Sequence, residues 1–405
     1  MGLIDEKFAA LDTDYAPGQE ARQSAVDLAA IQRGGNLSGI PVDFSHGDVD
    51  AFEPSPGARE AYLGGLDLGG EQAYTEYRGK QNIRMHVAEK LTAFCGAAVS
   101  AVDGLMITPG TQGALFLAIA ATVSSGDKVA IVQPDYFANR KLVKFFGAQI
   151  FPVRLDYLSS INHAGIDLGQ LEDAFKAGVR VLVFSNPNNP TGVVYSQAEI
   201  QKIARLAQVY EATVIVDQLY ARMLYTSTHY THLCAADINP ENVITIIGPS
   251  KTESLSGYRL GVAFGSPHII ERMEKLQAIV SLRAAGYSQS VLWTWFAEPD
   301  GWISERIILH EALRDALLAR LRRVKGLQAR SPEAGSYLFP QLPELSVDAQ
   351  TFVKLLRYQA GVTVTPGTEF GPHSSDSIRF NFSQDFATAI DAIDRVGELI
   401  ERYRA

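Results

Sequence analysis

Two cysteines in 405 residues, Cys95 and Cys234, are too few and too widely spaced to frame a fold or hold a metal. They read as reduced, buried small hydrophobes of a cytosolic protein. Long apolar runs are missing too: the longest, around "ALFLAIAATV", falls well short of the roughly 20 residues a spanning helix needs. Positive charge is scarce, with 36 Lys and Arg against 45 Asp and Glu and a formal net charge of −9. That balance argues against nucleic acid or an anionic membrane as a partner. The opening "MGLIDEKFAALDTD" is too polar and acidic for a secretory signal, so the expected location is the cytoplasm. No repeat or low-complexity tract breaks the chain. What remains is a globular composition, 46% hydrophobic and 20% charged, long enough for two domains.

Strand-like runs occur at "GLMIT", "DKVAIV", "AQIFPV", "VRVLVF", "ATVIV", "NVITII" and "GVAFG", with amphipathic helical patterns between most of them. "KQNIRMHVAEKLTAFCG" ends on a glycine stop, and Ser196 with Glu199 forms a capping box. Another helical stretch lies near Ala21 to Gln32. Continuous apolar strands separated by helices predict an α/β fold, a mostly parallel sheet covered by helices on both faces. Near Trp302 the pattern changes to a long helix from Ser304 to about Val324. Strands "SYLFP", "GVTVT" and "SIRFNF" follow around two further helices, a smaller α+β domain. The expected division is a large domain over 55–300 and a small one from both chain ends, 1–54 and 301–405.

The strand ends carry the chemistry, because open α/β sheets bind ligands there. After "GLMIT", "PGTQGALF" starts an apolar helix whose bare amides suit a phosphate, although an ordinary helix start looks the same. After "VRVLVF", the rigid "SNPNNPTG" presents side-chain amides. Asp217 follows "ATVIV", where a buried carboxylate needs a cation or several donors. Lys251 and Arg259 follow "NVITII" in "GPSKTESLSGYRLG", with only Glu253 acidic nearby. No Walker or GxGxxG pattern fits the glycines. A lysine, a phosphate anchor and an acid together suit a phosphorylated aldehyde with a basic ring nitrogen, which describes pyridoxal 5'-phosphate (PLP).

From about residue 39 onward the chain resembles the class I/II aminotransferases, fold-type I PLP enzymes of the aspartate aminotransferase kind. "SNPNNPTG", "VDQLY" and "SKTESLSGYRLG" carry that resemblance in the family's order. It implies that Lys251 is the lysine joined to the cofactor aldehyde as a Schiff base and that Arg259 pairs with the phosphate. Gly110, Thr111 and Gln112 stand at the phosphate-binding helix start. Tyr136 of "PDYF" matches the aromatic on the ring, Asp217 the partner of the ring nitrogen, and Asn189 and Tyr220 the donors to the ring hydroxyl. Tyr74 resembles the tyrosine that reaches the neighbouring subunit's phosphate, implying a homodimer with shared sites. Arg379 of "IRFNF" and Gly47 of "SHGD" resemble the substrate-carboxylate site.

The family often has Ser or Thr where Gly248 stands, three residues before the lysine; Ser250 is the expected substitute ligand. His46 matches no family role. The resemblance implies transfer of an amino group from an L-amino acid to a 2-oxo acid, with Lys251, Asp217 and Tyr220 at the chemistry. The same parts serve racemases, β-lyases, decarboxylases and oxidases, and a PLP-fold scaffold without catalysis. Arg283, in "SLRAAGYSQ", lies 24 residues after Arg259, in the region that binds the side-chain carboxylate in aspartate aminotransferases. It points to an acidic substrate. No metal is expected.

Overall fold

Seven short apolar runs assemble into one sheet in the computed structural model. They are β1 (Leu105–Pro109), β2 (Lys128–Gln133), β3 (Gln149–Arg154), β4 (Val181–Ser185), β5 (Thr213–Asp217), β6 (Val243–Ile247) and β7 (Leu260–Gly265). The structure describes residues 2–11, 13, 16, 18, 28–46, 51–160 and 162–405. Strand order is β1-β7-β6-β5-β4-β2-β3. Only β7 runs against its neighbours; the other pairings are parallel. Side chains alternate between faces, as the pleat requires. Ala130, Val132, Leu182 and Val214 enter one core, whereas Val129, Ile131, Val183 and Ile215 enter another on the opposite face. Both faces being covered, the strands read as unbroken apolar runs.

Helices α1 (Gln81–Cys95), α2 (Gly110–Thr122), α3 (Phe137–Phe145), α4 (Leu168–Lys176), α5 (Gln197–Val209) and α6 (Pro267–Val280) surround the sheet. α1 stops at Gly96, whose φ of +70° suits a residue without Cβ. The expected capping box opens α5: Glu199 N–H donates to Ser196 Oγ at 3.3 Å and Ser196 N–H to Glu199 Oε2 at 2.8 Å. Of the stretch expected near Ala21 to Gln32, residues 21–27 lie outside the described ones, and Leu28–Ile31 is helical. A helix at Leu3–Ala9, not expected, has no buried residue and hence no apolar stripe to read.

Beyond the sheet, α7 (Trp302–Leu321), α8 (Ala349–Ala360) and α9 (Phe386–Tyr403) pack with strands β8 (Tyr337–Leu338), β9 (Thr365–Pro366) and β10 (Ile378–Asn381). These strands form an antiparallel sheet in the order β9-β10-β8. The "GVTVT" run supplies two pieces rather than one strand: Val362–Thr363 pairs in parallel with Val42–Asp43, and Thr365 begins β9. Val42 and Phe44 join Leu317, Phe352, Phe380 and Val396 in one core, so residues from both chain ends are interleaved. The Tyr403 hydroxyl locks that junction, accepting from Arg33 N–H at 2.8 Å and donating to Gln359 Oε1 at 2.6 Å.

The cysteine expectation needs one correction. Cys95 is buried, but Cys234 is only half-buried, on a single 3-10 turn, and the fold brings the two thiols within hydrogen-bonding reach of each other. Among the described residues, no helix is long and apolar enough to cross a membrane. Nor do three His, Cys, Asp or Glu side chains gather there as a metal site would require.

Candidate active site

A cavity of about 250 Å³ opens where the parallel strands end. Thr111 and Gln112 enter it from the first turn of α2, Tyr136 from the start of α3, and Asn189 from the loop after β4. Asp217 and Tyr220 come from the end of β5, Ser250, Lys251 and Arg259 from the β6–β7 loop, and Arg379 from β10. One cavity thus gathers ten of the residues singled out above. Gly110 sits just behind it, with its φ at +74° and no side chain. A Cβ there would fall on the Arg259 guanidinium.

Charge in this cavity is poorly compensated by the protein itself. Asp217 ends a buried strand and, among the described residues, its side chain accepts only the Leu219 N–H, at 3.0 Å. Burial pushes its carboxyl up to about 6, and that single donor holds it back only in part. Lys251 Nζ has no hydrogen-bonding or ionic partner among the described residues. Arg259 holds a left-handed backbone (φ +53°, ψ +51°), unusual for a side-chain-bearing residue, and its Nη1 donates only to the Ser256 carbonyl, at 2.9 Å.

Arg379 is 2% exposed. Its donors reach Asn189 Oδ1 at 3.1 Å and the Ser45 carbonyl at 2.5 Å, and its Nε has no partner. Its guanidinium stacks over Tyr337 and Phe370, with no carboxylate paired to it among the described residues. A buried cation held by neutral groups alone can still take an anionic partner.

The geometry also explains the unusual glycine. A Cβ on Gly248 would lie 2.9 Å from Thr111 Cγ2 and 3.2 Å from the Leu260 carbonyl, so Thr111 occupies the room a serine would need. Ser250 does line the cavity.

Among the lining residues that escaped the sequence reading are Tyr337, Asn381, Ser185 and Ser45. The Tyr337 hydroxyl shares a 2.5 Å hydrogen bond with that of Tyr220, and burial raises the Tyr220 phenol further. Tyr337 stands on a two-residue strand of the smaller sheet, with no local motif to mark it. His46 lines the cavity mouth and lies 3.0 Å from Ser45 Oγ.

Three residues singled out fall elsewhere. Gly47 lies outside the described residues. Tyr74 and Arg283 are not in this chain's cavity but meet on its surface: the guanidinium sits 4.7 Å from the centre of the Tyr74 ring and donates to the Thr75 carbonyl at 2.6 Å.

Comparison with known proteins gives a consistent result. The aminotransferase class I and II family profile matches residues 40–395. A crystal structure of an aspartate aminotransferase from Rhodobacter sphaeroides 2.4.1 superposes with a TM-score of 0.95, at 63% identity over 99% of this chain and 100% of that one. The aspartate aminotransferase of Sulfurisphaera tokodaii is 28% identical over 348 residues, 85% of this chain and 86% of its own. The aromatic-amino-acid aminotransferase 2 of Thermococcus litoralis is 24% identical over 330 residues, 81% and 84% of the two chains.

Proposed function

This chain belongs to the class I and II aminotransferases, and from that premise we propose that it acts on an acidic amino acid, with Lys251, Asp217 and Arg379 as its central groups. It is a PLP-dependent transaminase that uses an amino acid and a 2-oxo acid. The family match favours this over racemase, lyase, decarboxylase or oxidase chemistry and over a non-catalytic scaffold.

The cavity fits the cofactor. Asp217, buried with one backbone donor, suits a protonated ring nitrogen. The start of α2 at Gly110, Thr111 and Gln112, with Ser250 and Arg259, suits a phosphate. Asn189 spends its oxygen on Arg379, which leaves its amide N–H to join Tyr220 as a donor to the ring hydroxyl. Tyr136, its hydroxyl held by Gln112 at 3.0 Å, covers one ring face. Bound there, the cofactor supplies an aldehyde carbon for the amino group and a ring that draws electrons from Cα.

The chain's own groups do the rest. Arg379 grips the substrate α-carboxylate in a charge-assisted pair and so orients the Cα–H bond. Lys251, neutral once released, takes the Cα proton at Nζ and returns it as an acid. Asp217 keeps the ring-nitrogen proton in place throughout.

Tyr74, 78% exposed, and Arg283 would complete the cavity of a second copy, making the working unit a homodimer. Arg283 would there face the substrate's side-chain carboxylate. The separate cores support a large domain over 55–300 and a small one from 1–54 and 301–405. The absence of a disulfide between Cys95 and Cys234 accords with a cytoplasmic location.

The observation that carries the amino-acid site is buried Arg379, with no carboxylate paired to it among the described residues, lining one cavity with Lys251; the acidic preference rests on Arg283 beside exposed Tyr74. The test compares kcat/KM for aspartate, glutamate, alanine and phenylalanine in wild type and Arg283→Ala. A charge-assisted pair is worth about 1.5–3 kcal/mol, so the acidic pair should lose roughly ten- to a hundredfold and the others little. A wild type that prefers alanine or phenylalanine, or an equal loss on all four, defeats the acidic assignment.

A further inference from the structure

A carboxylate behind the cavity is used by none of the steps above. Asp135 precedes Tyr136 at the end of β2 and is 2% exposed. Five donors converge on it. Oδ1 accepts from Tyr136 N–H at 2.6 Å, Ser185 Oγ at 2.6 Å and Asn139 Nδ2 at 3.2 Å. Oδ2 accepts from Ser185 N–H at 2.9 Å and Asn188 Nδ2 at 3.2 Å. Its own N–H donates to the Phe370 carbonyl at 3.1 Å, and Phe370 packs under the Arg379 guanidinium.

These bonds tie together three segments with no covalent reason to stay in register. Tyr136 is fixed through its backbone. The loop after β4 is fixed through Ser185 and Asn188, and Ser185 Oγ in turn accepts the Asn189 N–H at 3.1 Å. The third segment, at Phe370, carries the floor of the Arg379 site. Two of the donors are backbone N–H groups that cannot turn into acceptors, so the arrangement demands an acceptor at both oxygens. Burial nonetheless pushes the Asp135 carboxyl up to about 8, the Ser185 and Tyr136 donors opposing it and the nearby Asp217 carboxylate adding to it. A group kept so unfavourably needs a reason beyond packing.

We propose that Asp135 is a positioning residue of the transamination site, holding Tyr136 and Asn189 at the spacing the cofactor ring requires and linking both to the Arg379 pocket. This rests on the reading that Tyr136 and Asn189 hold the cofactor. Asp135 touches neither cofactor nor substrate and acts only through those two.

The experiment follows cofactor loss from holoenzyme during dialysis, by its visible absorption, together with the circular dichroism of the bound cofactor. Asp135→Asn keeps the volume but sets an amide donor against the Ser185 or Tyr136 donors; Asp135→Ala removes the acceptor. Both should release cofactor about tenfold faster or more and alter its dichroic band, while kcat falls more than KM changes. Coupling gives the sharper reading. In Asp135→Asn combined with Asn189→Ala, the loss should be clearly smaller than the product of the single effects. If Asp135→Ala does not fold, Asp135→Asn and Ser185→Ala carry the same test.

A lower melting temperature with unchanged cofactor loss and dichroism in the Asp135 variants overturns the proposal, and so do multiplicative effects in the double variant. If Asn189→Ala and Tyr136→Ala themselves retain cofactor like wild type, the reading beneath fails and takes the proposal with it.

Discussion

Lys251 and Asp217 show how much a single position can reveal. Asp217 ends one buried strand and Lys251 comes shortly after another, and neither side chain has an oppositely charged partner among the described residues. Lys251→Ala should fold and lose turnover by several orders of magnitude, because it removes both the proposed covalent anchor of the cofactor and the group proposed to take the Cα proton. Purified variant with a substantial fraction of wild-type rate contradicts the role. For Asp217 the expectation is a stability effect of unusual sign. The folded carboxyl keeps its proton to about pH 6, whereas the unfolded one releases it near 3.8. The native state therefore binds the extra proton, and stability falls as pH rises through that window. Asp217→Asn should accordingly be inactive yet stabilise the cofactor-free protein above pH 6, by on the order of 2–3 kcal/mol. Below about pH 4 the advantage should vanish. Melting curves of the two proteins at pH 4 and pH 8 decide it. Residues of this kind were legible in the sequence because each stands at a strand end among glycine, proline and asparagine. Tyr337 was not, because it stands on a two-residue strand with no local motif, and Asn381, though in the same "IRFNF" as Arg379, has nothing in the sequence to mark it. Asp135 did leave a trace, an acid wedged between Pro134 and Tyr136 after an apolar run.

The elements were easier to read than their ends. All seven strands of the large sheet lie where apolar runs fall, and central strands such as Val181–Ser185 and Val243–Ile247 are buried along their whole length. The misread pieces lacked that driving force: Leu3–Ala9 buries nothing, and "GVTVT" divides between two small sheets. The start of α2 is the element on which the proposed phosphate site is built. β7 meets it so closely that a Cβ on Gly261 would fall on the Gly110 and Thr111 backbone, and Gly110 lies against Arg259. Gly110→Ala should therefore displace Arg259 and strain a left-handed residue at once. We expect cofactor retention to drop at least tenfold with the fold preserved, measured by dialysis of the holoenzyme and far-ultraviolet dichroism. Wild-type retention would show that Arg259 needs no such proximity.

At the scale of the whole molecule, two features govern behaviour. Exposed Tyr74 and its companion Arg283 predict a dimer whose sites need both copies. Light scattering should give twice the chain mass, and Tyr74→Ala should weaken cofactor retention without dissociating the dimer. A fully active monomer rules this out. The other feature is the small core that takes Val42 and Phe44 from one end of the chain and Phe380 and Val396 from the other. Translation delivers those partners hundreds of residues apart. A nascent chain will have the whole seven-stranded sheet outside the ribosome while Val42 and Phe44 still wait, apolar and unpaired, for α9 to emerge. The Arg379 pocket, on β10, is completed in the same late interval. The proposed cofactor cradle can thus assemble early, and the proposed substrate grip at Arg379 only as synthesis nears its end.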